Sequence, residues 1–392
     1  MLKYINTFEV TVMNKKRVAF LFGGVSSEHD VSTVSARGII KNTDKEKYDI
    51  ILIGITKDGE WFLFDDDIEM IPHDDWLKSK SLKKAFISPD TKIHGIVTED
   101  GEQIYVDAVF PILHGKNGED GTVQGLLQMA QIPFVGCDAT SSGVCMDKAV
   151  TNAVCDTVGI SQAKWCAFTK FDYTNNKEKS LDEAIKKLGF PIFVKPANAG
   201  SSVGITKAES REALEKGFEV AFNEDKKVVL EEFINGFEVE CAVMGNDEPV
   251  AAEVGEVITA VEFYDYDAKY NNPDSQTIIP AGMPKEKRDA IRAQAVKIYK
   301  TLGCEGLSRV DFFVDKENGE ILFNEINTIP GSLSFYLWEP LGVKYTELLD
   351  RMISFALKRE REEENITYTF DSNVLQGVKL GGGTKGAKGT KN

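Results

Sequence analysis

No apolar run of about 18 residues, the length a bilayer-spanning helix needs, occurs in this 392-residue chain, and it is expected to be soluble. Its start, MLKYINTFEVTVMNKKRVAF, lacks the apolar block followed by small residues that marks a secretory signal, and residues 1–12 read as an extension ahead of Met13. Cysteine is sparse: the 6 positions (137, 145, 155, 166, 241 and 304) show no C-x-x-C spacing and read as reduced, buried thiols of a cytoplasmic protein. Histidine is scarcer still, at 4. Positive charge is outnumbered, with 46 Lys and Arg against 62 Asp and Glu for a formal net charge of −16, which argues against a nucleic acid or an anionic membrane as partner. A nucleotide ligand survives that argument where cations gather locally.

Two nucleotide signatures are missing as well. No G-x-x-x-x-G-K-[ST] occurs, and the first glycine turn, GGVSSE, lacks the G-x-G-x-x-G of a dinucleotide fold. One pattern is present and misleading: Gly200-Ser201-Ser202-Val203-Gly204, inside FVKPANAGSSVGITK, satisfies the G-x-S-x-G of a serine hydrolase. A nucleophile elbow turns from strand into helix and is followed by Asp or Glu and then His. Here ITKAES after the loop is strand-like, and His29, His73, His94 and His114 all precede Ser202. The hydrolase reading fails on order.

What is there alternates strand and helix, in a chain long enough for two or three domains. RVAFLF ends at Gly23-Gly24, and SSEHDVSTVSARGII follows as a helix with capping serines and Glu28 in its first turn. DIILIGI and VDAVFPIL complete an α/β region over residues 13–136. Residues 137–231 read as a smaller α+β unit, with strands at FPIFVK, SVGITK and KKVVLEEF around the helix SLDEAIKKLG, capped by Ser180 with Glu183 and stopped by Gly189. In residues 232–372, FEVECAVM is a strand, DAIRAQAVKIYKTLG a helix with Ile291, Ala295, Ile298 and Leu302 on one face, and SRVDFFVDKENGEILFNEINT a hairpin turning at Asn318-Gly319. Residues 373–392, rich in glycine and lysine, read as a disordered tail.

The glycine-serine loop acquires meaning from its surroundings. Lys148 in CMDKA and Lys195 in FVKPA, both read as strand-terminal, bracket the small unit, and a flexible loop can lay backbone N–H groups over phosphate oxygens. In the hairpin, alternation sets Arg309, Asp311 and Phe313 on one face of the first strand and Phe323, Glu325 and Asn327 on one face of the second, with Asp311 close to opposite Glu325. Two carboxylates and an amide oxygen are hard ligands, suited to magnesium shared with nucleotide phosphates.

LFGGVSSEHDVS, LHGKNGEDGTVQG, GCDATSSGVCMDK, VKPANAGSSVGITK, EFYDYDAKY, GLSRVDFF and NEINTIPG occur in this order and together resemble the D-alanine:D-alanine ligases of the ATP-grasp superfamily, including their vancomycin-resistance relatives. The resemblance runs from Arg17 into the 350s. It implies three domains: an N-terminal parallel-sheet α/β substrate domain and two α+β domains that grasp ATP between them. The implied reaction phosphorylates one D-alanine carboxylate with ATP, after which a second D-alanine amine attacks the acyl phosphate.

By the same resemblance, Lys148 and Lys195 hold the ATP phosphates, Glu231, Glu232 and Phe233 the adenine, and Glu238 the ribose. Asp311, Glu325 and Asn327 hold two magnesium ions, for which manganese can substitute. Glu28 meets the first substrate's ammonium, and His114 lines that subsite. EFYDYDAKY becomes a lid latched by Glu28, Ser201 and Tyr270, with Lys269 reaching the γ-phosphate. Closure keeps water from the acyl phosphate. Arg309 and the Gly331 N–H stabilise the oxyanion. The family's acceptor site carries a serine followed by leucine, and here Tyr336 stands in the serine slot before Leu337, leaving D-serine or another D-amino acid open as acceptor. D-lactate is disfavoured, because no histidine follows His114. A homodimer is the family's usual assembly, and a non-catalytic nucleotide-binding regulator is the reading from another class.

Overall fold

A computed structural model describes residues 14–258 and 276–367. Lys269 and Tyr270 lie outside the described residues, as do the rest of the lid motif, the first 13 residues and the lysine-rich tail.

The first sheet is built on β1 (Lys16–Gly23), whose Val18 to Phe22 are fully buried because both faces are covered. After α1 (His29–Asn42) come β2 (Tyr48–Ile55), β3 (Trp61–Phe64), β4 (Lys83–Ile87), β5 (Gly95–Thr98), β6 (Gln103–Tyr105) and β7 (Ala108–Ile112). The strand order is β6-β5-β4-β3-β2-β1-β7. Only β2 and β7 run parallel to β1, while β3 to β6 continue as antiparallel neighbours, so the sheet is mixed. Those added strands are too short for periodicity to reveal. Glu28 is the residue before α1 and not in its first turn, and no serine side chain caps the helix.

Next follow α2 (Thr122–Met129), α3 (Ala139–Met146) and α4 (Lys148–Thr157). Lys148 therefore opens a helix and does not end a strand. The reason is Asp147, whose carboxylate accepts from the N–H groups of Ala149 and Val150 and starts α4 there.

The middle of the chain forms β8 (Trp165–Thr169), α5 (Lys170–Asn175), α6 (Lys177–Leu188), β9 (Ile192–Pro196), β10 (Thr206–Ala208), α7 (Arg211–Glu224) and β11 (Lys227–Glu232), with sheet order β10-β9-β11-β8. It has its own core, in which Leu181, Val194, Leu214, Phe218 and Leu230 are fully buried. The expected capping box is inside α6: Lys177 and Glu178, good helix formers, extend the helix backwards, and Ser180 packs inward at 4% exposure. Of SVGITK only the end is strand. Ser201 and Ser202 stand in left-handed conformation, φ 50° and 59°, as a turn over the cleft.

Last come β12 (Gly236–Met244), β13 (Val250–Ile258), β14 (Gln276–Ile278), α8 (Lys285–Thr301), β15 (Leu307–Asp315), β16 (Ile321–Asn327) and α9 (Tyr345–Glu363). The third sheet is ordered β14-β13-β12-β15-β16, and α8 covers it with Ile291, Ala295 and Ile298, followed by Leu302, as the periodicity predicts. α9 instead returns to the first sheet, where Leu348, Leu349, Met352, Ile353 and Ala356 share one core with Phe20, Phe22, Ile39 and Trp76. Arg359 fixes that return: its guanidinium donates to the carbonyls of Phe134 (2.7 Å) and Gly136 (2.9 Å), pairs with Glu305 at 2.7 Å and lies over the Phe134 ring. The end of α9 thereby comes within electrostatic reach of the start of β1, the charge of Arg361 being felt at Lys16.

Candidate active site

The three sheets meet at a cleft of about 890 Å³. Its cationic wall comes from the central unit. Lys195, on β9 beside β11, is buried and pairs with Glu231 at 2.5 Å, while its ammonium also donates to Asn324 across the cleft at 3.3 Å. Burial alone would lower its pKa, but the carboxylates of Glu231, Glu325 and Glu238 together hold it above the ordinary lysine value, so it stays charged. Lys148 donates to the Ala199 carbonyl at 2.8 Å and stands 3.7 Å from Glu325. The two cations thus bracket the glycine-serine loop. Beyond them, Glu232 turns toward Lys164 at 2.7 Å, and the Phe233 ring stacks with Phe193, centroids 6.2 Å apart, under the Lys207 ammonium. Glu238, on β12 of the third sheet, also lines the cleft.

The acidic wall is the β15–β16 hairpin, where Asp311 pairs directly with Glu325. A bulge follows, between Asp311 and Phe312, and it corrects the expected alternation. Phe323 falls on the core side, against Phe312, and the extra residue, Asn324, joins Glu325 on the cleft side. Arg309 binds Asp311 through two hydrogen bonds of 2.7 Å and approaches Glu240 at 3.2 Å, and Asn327 donates to Asp311 at 3.0 Å. Asp311, Glu325 and Asn327 present oxygen donors without sulfur or imidazole, a set that fits a hard divalent cation.

At the far end, Glu28 is 6% exposed and accepts a hydrogen bond from Ser201. Gly115, at φ 68°, and Gly200 pack so closely on its carboxylate that a Cβ at either would strike it. His114 is buried, with Nε2 3.0 Å from Ser35 Oγ, and burial pushes its pKa down to about 4, leaving a neutral imidazole. Glu119 accepts from the N–H groups of Gly115 (2.9 Å) and Ile329 (2.8 Å), which ties the first sheet to the loop carrying Gly331. Burial, and then the Glu28 charge, push its pKa up to about 8. Tyr336 borders the cleft, and burial followed by the charge of the Glu240 carboxylate holds its proton firmly on. Leu337 does not border it: the side chain is fully buried in the core.

Comparison with known proteins places this cleft in a lineage. Residues 17–137 match the family model for the D-ala D-ala ligase N-terminus, and residues 154–354 match that for the D-ala D-ala ligase C-terminus. The chain belongs to the D-ala D-ala ligase family. It is 46% identical over 376 residues to the D-alanine–D-alanine ligase of Ruminiclostridium cellulolyticum, covering 92% of this chain and 100% of that relative. Among solved structures, the VanG D-Ala:D-Ser ligase from Enterococcus faecalis aligns with a TM-score of 0.80 at 42% identity, over 88% of this chain and 100% of that one. The D-alanine-D-alanine ligase from Coxiella burnetii aligns at 0.78 and 33%, over 89% and 97%.

Sequence reasoning passed over Glu119, Glu240, Asn324, Ser35 and Phe193. Two of these were within reach in this ligase chain. Glu119 stands inside the quoted GKNGEDGT, and strand alternation carries Glu238 to Glu240 on one face of FEVEC. Asn324 depends on a bulge, and Ser35 on a tertiary contact with a helix that looks merely amphipathic.

Proposed function

We propose that this ligase joins two D-alanines into D-alanyl-D-alanine, consuming ATP through an acyl phosphate and supplying a peptidoglycan precursor in the cytoplasm. The observation that carries this reading is the facing of Lys148 and Lys195 with Asp311, Glu325 and Asn327 across one cleft, with Glu28 and Ser201 at its end. The lysines hold the transferring phosphates, and Glu231, Glu232, Phe233 and Glu238 take the nucleoside. Asp311, Glu325 and Asn327 would hold magnesium, which would supply positive charge beside the phosphoryl group.

Glu28 binds the first substrate's ammonium while Arg309 and the Gly331 N–H face the developing oxyanion, where fixed donors in a water-poor site count most. His114, neutral and held by Ser35, orients the donor end and carries no charge there. We further propose a homodimer as the working assembly, checked by light scattering on the purified chain. The deciding assay supplies ATP, magnesium and D-alanine. Release of ADP with formation of the dipeptide supports the reading, and nucleotide turnover indifferent to D-amino acids overturns it.

A second reading, a D-serine acceptor, is favoured by the likeness to the VanG D-Ala:D-Ser ligase. Competition between D-alanine and D-serine for the second position separates the two.

A further inference from the structure

His29 takes no part in the ligation described above, yet it adjoins Glu28 and is only 2% exposed. Both of its ring nitrogens face acceptors: Nδ1 stands 2.8 Å from the Gly24 carbonyl oxygen and Nε2 2.9 Å from Asp74 Oδ1. A neutral imidazole has one N–H and one lone pair, and satisfies only one of the two. Its lone pair would then point at an oxygen, in a buried place where an unmet polar group is costly. The geometry calls for the imidazolium, donating at both ends.

The surroundings are arranged to hold that charge. Asp74 Oδ1 also accepts from Trp76 Nε1 at 3.2 Å, its other oxygen lies 3.6 Å from the Lys57 ammonium, and Lys57 pairs with Asp30 at 2.7 Å. With His29 charged, it and Lys57 match Asp30 and Asp74; with it neutral, a carboxylate is left over. The start of a helix disfavours a cation, so His29, the first residue of α1, keeps its second proton by virtue of Asp74 and not of its own position. Asp74 cannot readily follow a retreating ring. It and His73 stand in left-handed conformation at φ 59° and 62°, between Ile71 and Trp76, both fully buried.

The same ring closes the turn that aims Glu28. No side chain caps α1, and the Gly24 carbonyl accepts both from His29 and from the Ser26 N–H at 3.1 Å, which ties the start of the turn to the start of the helix. Gly23 leaves the space for this: a Cβ there would strike the Ile55 carbonyl and come within 3.0 Å of His29 Cε1.

We propose that His29 is a positioning residue whose doubly protonated ring bridges Gly24 and Asp74 and fixes the turn that presents Glu28, so that the first D-amino acid binds more weakly when the ring gives up a proton. The proposal rests on the ligase reading above, in which Glu28 meets that substrate's ammonium. Asp74→Asn separates the proton from the bridge, because an amide can donate to the lone pair of a neutral ring and a carboxylate cannot.

The test uses the full-length chain with saturating magnesium, measuring KM for ATP and for donor and acceptor D-alanine between about pH 6 and pH 9 in the wild type, H29Q and D74N. Glu119, which feels the Glu28 charge, titrates in the same range, so the comparison of wild type with D74N carries the result. Expected is a donor KM that rises about ten-fold more across the range in the wild type than in D74N, and that is about ten-fold above wild type in H29Q at the acid end, with acceptor and ATP KM changed by less than about two-fold. A donor KM with the same pH course in wild type and D74N, a wild-type donor KM in H29Q, or equal increases for all three substrates overturns the proposal while leaving the ligase reading intact. A wild-type chain that makes no dipeptide overturns both. Should H29Q fail to fold, D74N decides alone by the same pH course, together with the ring nitrogen resonances of histidine-labelled wild type, which should show both nitrogens of His29 protonated at the acid end.

Discussion

Glu119 shows how one buried side chain turns geometry into a pH response. Its carboxyl titrates near 8 in the folded chain against an ordinary 4.5, because burial and then the Glu28 charge oppose ionisation. A group whose folded pKa is raised gives stability that is fully present below the unfolded value and is lost as pH rises through the folded one. Wild-type urea midpoints should therefore fall between about pH 5 and pH 8, and Glu119→Gln should flatten that slope. A slope unchanged by the substitution would show that Glu119 does not carry it. Lys195 makes the complementary case. Removing its ammonium in Lys195→Ala should weaken ATP binding by roughly ten-fold or more, since a charge-assisted contact contributes about 1.5–3 kcal/mol. Calorimetric titration with nucleotide is the check, and an affinity equal to wild type would take Lys195 off the phosphates.

Elements were more legible in the sequence than the side chains that aim them. Long periodic segments such as α8, and the hairpin with its Asp311–Glu325 pairing, follow from spacing alone. β3 to β6 do not, being short stretches with no sustained alternation, and the bulge at Asn324 reverses the face of Phe323 without leaving any mark in composition. Most residues expected at the site do gather in one cleft, because the glycine turns and strand ends that carry them were readable. That the Leu337 side chain turns into the core was not legible, because adjacency in sequence says nothing of which way a loop residue turns. α4 offers a test at this scale. Asp147 both caps it and pairs with Lys227 at 2.5 Å, so Asp147→Ala should cost about 1–2 kcal/mol in chemical denaturation and loosen Lys148 at the helix start. A loss of stability with unchanged nucleotide affinity would separate the cap from the cation it positions.

Across the whole molecule, the first and third sheets are joined by α9 and by the core it shares with α1, whereas the central sheet packs around a core of its own. Arg359 is the polar fastening of that join. Its loss in Arg359→Ala leaves two carbonyls and Glu305 without a partner, and should lower stability by about 2–3 kcal/mol. Hydrogen exchange should then rise in β1, β7 and α9 together while β9 and β11 keep their wild-type rates. Exchange spread evenly over all three sheets would contradict that division.

The packing of the end of α9 beside β1 and β7, through Arg359 at the Phe134 carbonyl and Phe134 against Val109, has a consequence for how the chain can be cut. Where the two ends of a folded body lie on the same part of it, the order in which its pieces are synthesised is not essential to the shape they reach. A circular permutant that joins the start of β1 to the end of α9 by a short glycine-serine linker, and opens the chain between the exposed Asn175 and Asn176, should fold and keep the cleft, because the new ends lie between two helices and away from its walls.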